Sequence, residues 1–422
     1  KINMDKINNP LVQAVILAAG ECSRFEPFNS RNQHKSAFVL LDKPIIAWTV
    51  EALIRAGIQK IEIIKSPNDD SISQSLSIYQ NKVKINFHDQ KEPLGMGNAI
   101  ISALPSLDDQ FILLNSQQLN IDQHLKLYFN NQQKYLNSMV MFCQDTEEPQ
   151  KYGILGLNGD QVTKIVEKPV DLTGLSNQRI LGIYLLTKKF VEFMNQTPVS
   201  EYQFELSLDQ YLKNNSIKAI KTPELSLSLK YAWDLFPIAS HLIEKLTDGK
   251  QIIHPQTKIH PTAIITGPVI IEEGAEIYEY SLIQGPVYIG KRTVVGSYSK
   301  IRKESVMEEG SQIENSVELK HSLIGKNSHV HSGFVGDSII GQECRIGADF
   351  VTANRRHDRA NIKFLIKEKV VDCNSSFMGA LIGDNVKIGI HSGTNPGVII
   401  QSDSQILPGS IVPSHPPVDT TQ

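Results

Sequence analysis

The first candidate for chemistry is a short turn near the amino terminus, which reads Leu17-Ala-Ala-Gly-Glu-Cys-Ser-Arg24. The continuous apolar run Ala14–Ala19 before it predicts a buried parallel strand. Backbone N–H groups that precede a helix can bind phosphate, and an arginine adds a forked donor for phosphate oxygens. We therefore expect a phosphate-bearing ligand near Gly20 and Arg24.

A second group of candidates lies in the carboxyl-terminal half. His331 carries an imidazole that, when neutral, can accept a proton near pH 7. The segment Asn354–Phe377 interrupts the sequence pattern around it and contains Arg355-Arg-His-Asp-Arg359, which would not fill a protein interior. Loops on rigid scaffolds often carry function, so we expect this segment to project from one corner of the scaffold.

The scaffold of that half is a six-residue repeat. Every sixth residue from Ile253 to Leu319 is aliphatic, and polar or turn-forming residues fill most positions between. A helix would repeat at three and four residues, whereas this period is typical of a parallel β-helix with one short strand on each face of a triangular coil. The phase slips near Leu323 and again before Ile340. Ile340 and Ile382 are a whole number of repeats apart, so we expect the coil to continue in register.

The amino-terminal half alternates strands and helices, which predicts a doubly wound α/β domain with ligands at the carboxyl ends of its strands. The predicted strands are Ala14–Ala19, Lys60–Lys65, Val83–Phe87 and Phe111–Asn115. The predicted helices are Trp48–Ala56, Ser71–Tyr79, Gly97–Leu104, Phe204–Leu212 and Tyr231–Lys245. Strands dominate from Ser138 to Leu186, and we interpret them as an added sheet that closes over a substrate.

Composition excludes several classes of protein. The chain has 422 residues, enough for two or three domains, and its net charge of −3 gives no general attraction to nucleic acid or membranes. No apolar run approaches the length of a membrane span, and Lys1–Pro10 is too polar for a signal peptide. The cysteines are scattered without metal-ligand spacing, which predicts a reduced, cytoplasmic protein without structural zinc.

Further motifs occur in a characteristic order along the chain. Gln90-Lys-Glu-Pro-Leu-Gly-Met-Gly-Asn-Ala99, Tyr152-Gly153 and Glu167-Lys-Pro169 lie in the first half. Val317-Glu-Leu-Lys-His321, Val330-His-Ser-Gly-Phe-Val-Gly-Asp337 and Ala353-Asn354 lie in the second. Together these motifs resemble those of the bifunctional N-acetylglucosamine-1-phosphate uridylyltransferases and glucosamine-1-phosphate acetyltransferases, in particular the archaeal type, from about Val12 to Val412.

The resemblance implies a domain organisation. Residues 12–237 form an α/β doubly wound, nucleotidyltransferase-like domain, residues 238–251 a helical linker, and residues 252–413 a left-handed β-helix with an inserted loop at about 354–377. In this family the first domain joins a sugar 1-phosphate to a nucleotide and uses Mg²⁺. The β-helix forms a homotrimer and transfers acetyl from acetyl-CoA, its co-substrate, to an amino sugar.

The resemblance also implies roles for individual residues. His331 matches the catalytic base, which takes a proton from the sugar amine as it attacks the thioester. The positions that match nucleotide-binding residues are Leu17, Ala19, Gly20, Arg24, Lys35, Gln90 and Gly95. The positions that match sugar-binding residues are Gly153, Glu167, Lys168, Lys320 and Asn354.

Several departures affect the nucleotidyltransferase half. Where the family has an aspartate for Mg²⁺ after a buried strand, this chain reads Asn115-Ser-Gln117, and the second metal aspartate aligns with Ser228. Because phosphoryl-type transfer depends on neutralisation of charge by the metal, we predict no metal ligand and weak or absent nucleotidyl transfer.

The β-helix half departs less from its relatives. Phe334 replaces a tyrosine of the sugar site, and Gly347-Ala-Asp-Phe350 places bulk and charge where small residues are usual. Asn374-Ser-Ser-Phe-Met-Gly-Ala380 lacks three basic residues that would meet a sugar phosphate or CoA. The arginines of Arg355–Arg359 either compensate for these or simply belong to a solvated loop.

Three hypotheses remain at this point. The chain is an acyltransferase with a disabled nucleotidyltransferase domain, or a non-catalytic sugar-nucleotide-binding or regulatory homologue, or a nucleotidyltransferase with a relocated metal site. The acyl group, the sugar and the nucleotide base do not follow from the sequence.

Overall fold

The computed structural model describes residues 11–29, 33–135 and 138–414, so the polar start Lys1–Pro10 lies outside the described residues. The chain divides into two compact units. One consists of residues up to Glu21 together with Pro44–Leu227, and the other of Cys22–Lys43 together with the residues from Ser228 onward. Within the described ranges, no helix has both the length and the apolar character needed to cross a membrane.

In the residues that the structure describes, the first part of the chain contains eleven strands and a series of helices. The strands are β1 Gln13–Ala18, β2 Val39–Leu40, β3 Lys43–Pro44, β4 Lys60–Lys65, β5 Lys84–Asp89, β6 Gln110–Asn115, β7 Met139–Asp145, β8 Gly153–Asn158, β9 Gln161–Glu167, β10 Gln178–Thr187 and β11 Ile217–Lys221. The α-helices are α1 Ile45–Arg55, α2 Ser71–Leu76, α3 Gly95–Ser102, α4 Ile121–Asn130, α5 Lys188–Met194, α6 Gln203–Leu212 and α7 Leu235–Thr247. Short 3₁₀ turns are Lys35–Ala37, Ser77–Tyr79, Leu104–Ser106, Gln132–Tyr135, Pro149–Lys151 and Ala232–Asp234.

Nine of these strands form one mixed sheet in the order β5-β4-β1-β6-β10-β7-β11-β9-β8. The strands β5, β4, β1 and β6 run parallel, as the alternation of strands and helices predicted. The residues of β1 and β6 are largely apolar and mostly buried, as expected for strands covered on both faces, whereas β5 at the edge of the sheet is only partly buried. The doubly wound architecture is therefore confirmed for this unit.

The interpretation of Ser138–Leu186 as a separate, added sheet is wrong. Strand β10 pairs antiparallel with β6, where Ile183 lies opposite Leu114, and also with β7, where Tyr184 lies opposite Met141. The later strands thus extend the parallel sheet itself. Pairing between distant strands depends on tertiary packing, which local sequence patterns do not contain.

The second unit contains a left-handed β-helix with three eight-stranded faces. The strands of its first face are Gln251–Ile253, Val269–Ile271, Val287–Ile289, Ser305–Met307, Leu323–Ile324, Ile339–Ile340, Ala380–Ile382 and Val398–Ile400. Those of the second face are Lys258–Ile259, Glu276–Ile277, Val294–Val295, Gln312–Ile313, His329–Val330, Arg345–Ile346, Lys387–Ile388 and Gln405–Ile406. Those of the third face are Ile264–Thr266, Leu282–Gln284, Lys300–Ile301, Val317–Lys320, Gly333–Gly336, Phe350–Thr352, Gly393–Thr394 and Ile411–Val412.

The repeat residues line the interior of this β-helix. From Ile271 to Leu319 they are at most 2% exposed, because each points inward and stacks on its equivalent one coil later. The predicted phase slips are confirmed: Met307 pairs with Ile324 and Ile324 with Ile340, which makes these coils shorter than their neighbours. The pairing of Ile340 with Ile382 confirms that the register continues across the insertion.

We expected the inserted segment to project from the scaffold, but part of it is folded and packed. It contains a hairpin, Lys363–Ile366 with Lys369–Asp372, and the Phe364 side chain is fully buried. The Phe364 ring stacks on Trp233, with 4.9 Å between the ring centroids, and Trp233 in turn stacks on Tyr231 at 4.5 Å. An alternating pattern of buried residues therefore anchors this loop within its own unit.

The segment Cys22–Lys43 is held on the β-helix by the turn between β2 and β3. The backbone N–H groups of Leu41 and Asp42 donate to the two carboxylate oxygens of Glu308, at 2.7 and 2.8 Å. In return, Asp42 accepts from the backbone N–H groups of Glu309 and Lys291. The exchange satisfies a buried carboxylate without a cation.

Candidate functional sites

The amino-terminal loop begins at the carboxyl end of β1. Leu17 lies opposite Ile64 on β4 and Asn115 on β6, so it stands at the edge of the parallel sheet where ligands bind. Ala19 is almost buried, and its carbonyl accepts a hydrogen bond from the Ser66 hydroxyl at 3.1 Å. Gly20 follows and is exposed, with open space around its Cα.

Cys22 takes the backbone conformation that a glycine would favour. Its φ is 53°, in the left-handed region. The Cys22 sulfur accepts a hydrogen bond from the backbone N–H of Lys35 at 3.2 Å, which joins the two ends of the loop. The loop therefore forms its turn with Cys22 at a position where the related loops have glycine. The Cys22 side chain occupies the inner side of the loop.

Lys35 lies near charged groups of both signs within the second unit. Burial, first of all, lowers the pKa of its amine, Cys22 and Asp234 raise it, and the charges of Arg24 and Lys230 lower it. The two predicted phosphate contacts Arg24 and Lys35 are thus neighbours. Their cations could bind a phosphate, although the Asp234 carboxylate lies near them.

Gln90 and Gly95 are brought together by a hydrogen bond. The side-chain amide of Gln90 donates to the Gly95 carbonyl at 2.9 Å and to the Asn98 side chain at 3.1 Å. Gly95 has a φ of 86°, and a Cβ there would lie 2.3 Å from the carbonyl oxygen of Glu201. The start of α3 therefore requires glycine at this position.

The position of the family's metal aspartate does not fit Mg²⁺ in this chain. Strand β6 ends at Asn115, and the next residues offer only a hydroxyl and an amide, on Ser116 and Gln117. Mg²⁺ sites in such enzymes rest on one or two carboxylates plus substrate phosphates. In the described ranges, no group of three or more His, Cys, Asp or Glu side chains is arranged to hold a metal ion.

The carboxylates that remain near these motifs have other partners. Asp122 pairs with Arg55 at 2.9 Å, and Asp234 accepts from the backbone N–H groups of Lys230 and Tyr231. Ser228, at the second metal position, is exposed and lies in irregular structure. None of these residues replaces the missing charge.

The first unit's candidate sugar residues lie on one hairpin. Gly153 on β8 is opposite Glu167 on β9, and a Cβ on Gly153 would lie 2.8 Å from the Glu167 carboxylate. The backbone N–H of Lys168 donates to the Tyr152 carbonyl. Burial, then the neighbouring charges of Glu167 and Glu201, raise the pKa of Glu205, so this region contains more carboxylates than sequence motifs indicated.

His331 lies at the corner between the second and third faces of the β-helix. Its Nδ1 is 2.5 Å from Oε2 of Glu314, and the other oxygen of that carboxylate is 2.7 Å from Nε2 of His329. The His331 side chain is 56% exposed. The sequence motifs indicated no role for Glu314 or His329, since neither residue lies within them.

Lys320 and Asn354 meet at a third residue, Asp337. The Lys320 amine and the Asn354 amide donate to the same carboxylate oxygen at 2.9 and 2.5 Å, and His321 lies 2.9 Å from the other oxygen. Although burial raises the pKa of Asp337, these three hydrogen bonds outweigh it and hold the pKa below its ordinary value. Asp337 could have been predicted as a site residue from the sequence, because it is the last residue of the motif that contains His331.

The group around His331 and the group around Asp337 lie at opposite ends of the strand Gly333–Gly336. His331 precedes this strand and Asp337 follows it, and four residues of strand span about 13 Å. Phe334 lies on this strand beside Glu318, and a Cβ on Gly336 would lie 2.6 Å from the Phe334 ring. The strand therefore presents an apolar surface between a basic imidazole and a polar cluster.

Phe377 fills the place where the family has a basic residue. The Lys320 amine and the Arg355 guanidinium each lie 4.5 Å from the centre of its ring. Arg356 is paired with Asp358 instead, and Arg359 is exposed. Of the loop arginines, Arg355 is thus the one beside the Lys320 cluster.

Comparison with known proteins gives matches along nearly the whole chain. The profile of the nucleotidyl transferase family matches residues 13–222. Bifunctional protein GlmU of Methanocaldococcus jannaschii is 34% identical over 404 residues, which cover 94% of this chain and 93% of that protein. A bifunctional sugar-1-phosphate nucleotidylyltransferase/acetyltransferase of Sulfurisphaera tokodaii is 30% identical over 414 residues, which cover 95% and 97%. Because both halves are matched in both relatives, this chain belongs to the family of bifunctional sugar-1-phosphate nucleotidylyltransferases/acetyltransferases.

Proposed function

We propose that this chain is an acetyl-CoA-dependent amino-sugar acetyltransferase whose nucleotidyltransferase-like unit binds a nucleotide or sugar phosphate but transfers nucleotidyl groups weakly or not at all. The observation that carries the proposal is the arrangement of His331 and the Asp337 cluster at the two ends of one strand. The names of the relatives describe both activities, and the departures in this chain affect the two halves unequally.

The geometry supports acetyl transfer in the following way. The amine of the sugar attacks the thioester carbonyl of acetyl-CoA, so that a C–N bond forms and the C–S bond breaks. Nε2 of His331 accepts the amine proton, and the imidazolium returns it to the departing thiolate of CoA. Lys320 and Asn354, fixed by Asp337, bind the sugar hydroxyls or its phosphate.

The first unit supports binding better than catalysis. The side chain of Gln90 is hydrogen-bonded to Gly95, and Gly153 is paired with Glu167 across two strands, so these positions are held in place. The residues at the metal positions, Gln117 and Ser228, carry no charge. Loss of several kcal/mol of electrostatic stabilisation would slow transfer by hundreds to thousands of times.

This retained binding geometry also favours a second candidate function, a non-catalytic sugar-nucleotide-binding or regulatory homologue. In the β-helix the Lys320 amine is already held by Asp337 and by the Phe377 ring. If that contact closes the sugar site, acetyl transfer is lost as well. The two candidates differ in whether thiol release from acetyl-CoA depends on His331.

We further propose a homotrimer formed through the β-helix. Several large apolar side chains are exposed at the third face and the corner before it: Ile264, Tyr280, Tyr298, Leu407 and Ile411. An exposed apolar surface of this kind is typical of a contact between subunits. None of the four cysteines forms a disulfide, which agrees with a reducing, cytoplasmic location.

The test is thiol release from acetyl-CoA with glucosamine 1-phosphate, measured for the full chain and for His331→Ala. Activity that the substitution abolishes supports the acetyltransferase. Absence of activity in both proteins, together with saturable nucleotide binding in calorimetry, supports the second candidate.

A further inference from the structure

Glu314 and His331 occupy equivalent places in successive coils. The inward-facing residues before them, Ile313 and Val330, are direct partners across the second face. The backbone N–H of Glu314 donates to the Val330 carbonyl at 2.9 Å, and that of His331 donates to the Ile346 carbonyl at 3.0 Å. The coil therefore places the two side chains one above the other at the same corner. Backbone hydrogen bonds to the next coil hold both residues in place.

Both oxygens of the Glu314 carboxylate face imidazole nitrogens. Oε2 lies 2.5 Å from Nδ1 of His331, and Oε1 lies 2.7 Å from Nε2 of His329. Within the described part of the chain, no lysine or arginine forms an ion pair with this carboxylate. Other glutamates of the β-helix do have such partners, as Glu276 has Lys258 and Glu318 has Arg302.

This arrangement favours one tautomer of His331. The carboxylate can only accept, and its negative charge 2.5 Å from Nδ1 favours the proton on that nitrogen, which leaves Nε2 as the free base. When Nε2 takes up a proton, the carboxylate stabilises the imidazolium that forms. The more than half-exposed ring offers Nε2 to a ligand.

We propose that Glu314 is the positioning residue of the acetyl transfer and holds His331 with Nε2 as the proton acceptor, while His329 lies beside the second oxygen of the carboxylate. This role rests on the function proposed above. Glu314 acts through His331 by fixing the tautomer and the orientation of the ring.

A similar pair elsewhere on the same corner provides a matched control. Nδ1 of His391 lies 3.1 Å from Oδ2 of Asp349, and both side chains are largely exposed. This pair has the same chemistry as His331 and Glu314. If ion pairs along this corner only stabilise the coil, the substitutions Glu314→Gln and His391→Asn will have the same small effect on activity.

The experiment measures kcat/KM for thiol release from acetyl-CoA in the full chain, for wild type, Glu314→Gln, Glu314→Asp, His331→Ala and His391→Asn. A glutamine can turn its amide toward Nδ1 and favour the wrong tautomer. We therefore expect Glu314→Gln to lower kcat/KM at least about tenfold. Glu314→Asp should recover part of the rate, and His391→Asn should match wild type.

An unchanged kcat/KM in Glu314→Gln, beside an inactive His331→Ala, would overturn the role of Glu314 alone. An active His331→Ala would overturn the proposed function itself. Nitrogen NMR of the wild-type histidines provides a measurement that needs no variant to fold. A proton on Nδ1 of neutral His331 supports the proposal, and a proton on Nε2 overturns it.

Discussion

The Asn354 side chain donates to the Asp337 carboxylate across 17 residues of sequence, at a distance of 2.5 Å. Asn354 opens the inserted segment and Asp337 closes the motif that contains His331, so one buried acid joins the two features that interrupt the regular repeat. The slips in the repeat and the insertion therefore build a common polar cluster.

We predict that Asp337→Asn weakens both the fold and the sugar site. The substitution removes a charge that accepts from Lys320, His321 and Asn354, at a cost of about 1–3 kcal/mol in the free energy of unfolding. Because the folded-state pKa of Asp337 is lowered, its contribution is present above the ordinary aspartate pKa and is lost as pH falls through the folded value. Urea unfolding at pH 7 and pH 3 measures this. Equal losses of stability at both values would contradict it.

The contribution of Glu308 to the free energy of unfolding should fall as pH rises from about 4.5 to about 8. Burial, first, and the neighbouring Asp42 raise the pKa of Glu308 from 4.5 to about 8. The folded protein therefore keeps a proton that the unfolded chain has released in this window. Glu308→Gln cannot ionise, so its stability relative to wild type should increase as pH rises through this window. Glu273→Gln, at an exposed glutamate of the β-helix, is the control and should keep the wild-type slope. Identical slopes in all three proteins would refute the prediction.

Cys22→Gly should strengthen nucleotide binding by roughly threefold to tenfold, or about 1 kcal/mol. Cys22 already has a φ of 53°, which glycine adopts without strain, and removal of its side chain opens the inner side of the loop. Calorimetry with a nucleoside triphosphate in the absence of metal measures the affinity. Cys373→Ala, at another half-buried cysteine, is the control. An equal or weaker affinity in Cys22→Gly would show that the thiol does not obstruct the ligand.

Trp233→Ala should release the hairpin of the inserted segment. Phe364 would lose the ring that covers it and become exposed. Trypsin should then cut at Lys363, Lys367 or Lys369 faster than in wild type, while the rest of the β-helix stays resistant. Tyr135→Ala removes a stacked ring in the first unit and should leave these sites protected. If trypsin cuts both variants at the wild-type rate, the stack does not anchor the segment.

The sequence predicted those features that repeat or that stay local. The aliphatic period from Ile253 to Leu319 predicted the β-helix because each coil repeats the same contact. The run Ala14–Ala19 predicted the central strand β1 because a strand buried on both faces is apolar throughout. The helix α4, Ile121–Asn130, was missed, since polar residues such as His124 interrupt its apolar face although they are buried.

Features that depend on distant partners could not be predicted in the same way. The pairing of β10 with β6 is a tertiary contact, and it changed the interpretation of Ser138–Leu186. Glu314 stands at an ordinary corner position, and only the stacking of coils places it beside His331. Lys320 and Asn354 were identified through motifs, but the acid that joins them was identified by the structure.

We propose that this chain transfers acetyl groups and transfers nucleotidyl groups weakly or not at all. The most direct measurement incubates the full chain with acetyl-CoA, glucosamine 1-phosphate, a nucleoside triphosphate and Mg²⁺, and follows CoA thiol and pyrophosphate in the same reaction. We expect thiol release that His331→Ala abolishes, with pyrophosphate at or close to the level of the enzyme-free control. Pyrophosphate release at a rate typical of an enzyme, or thiol release that persists in His331→Ala, would contradict it.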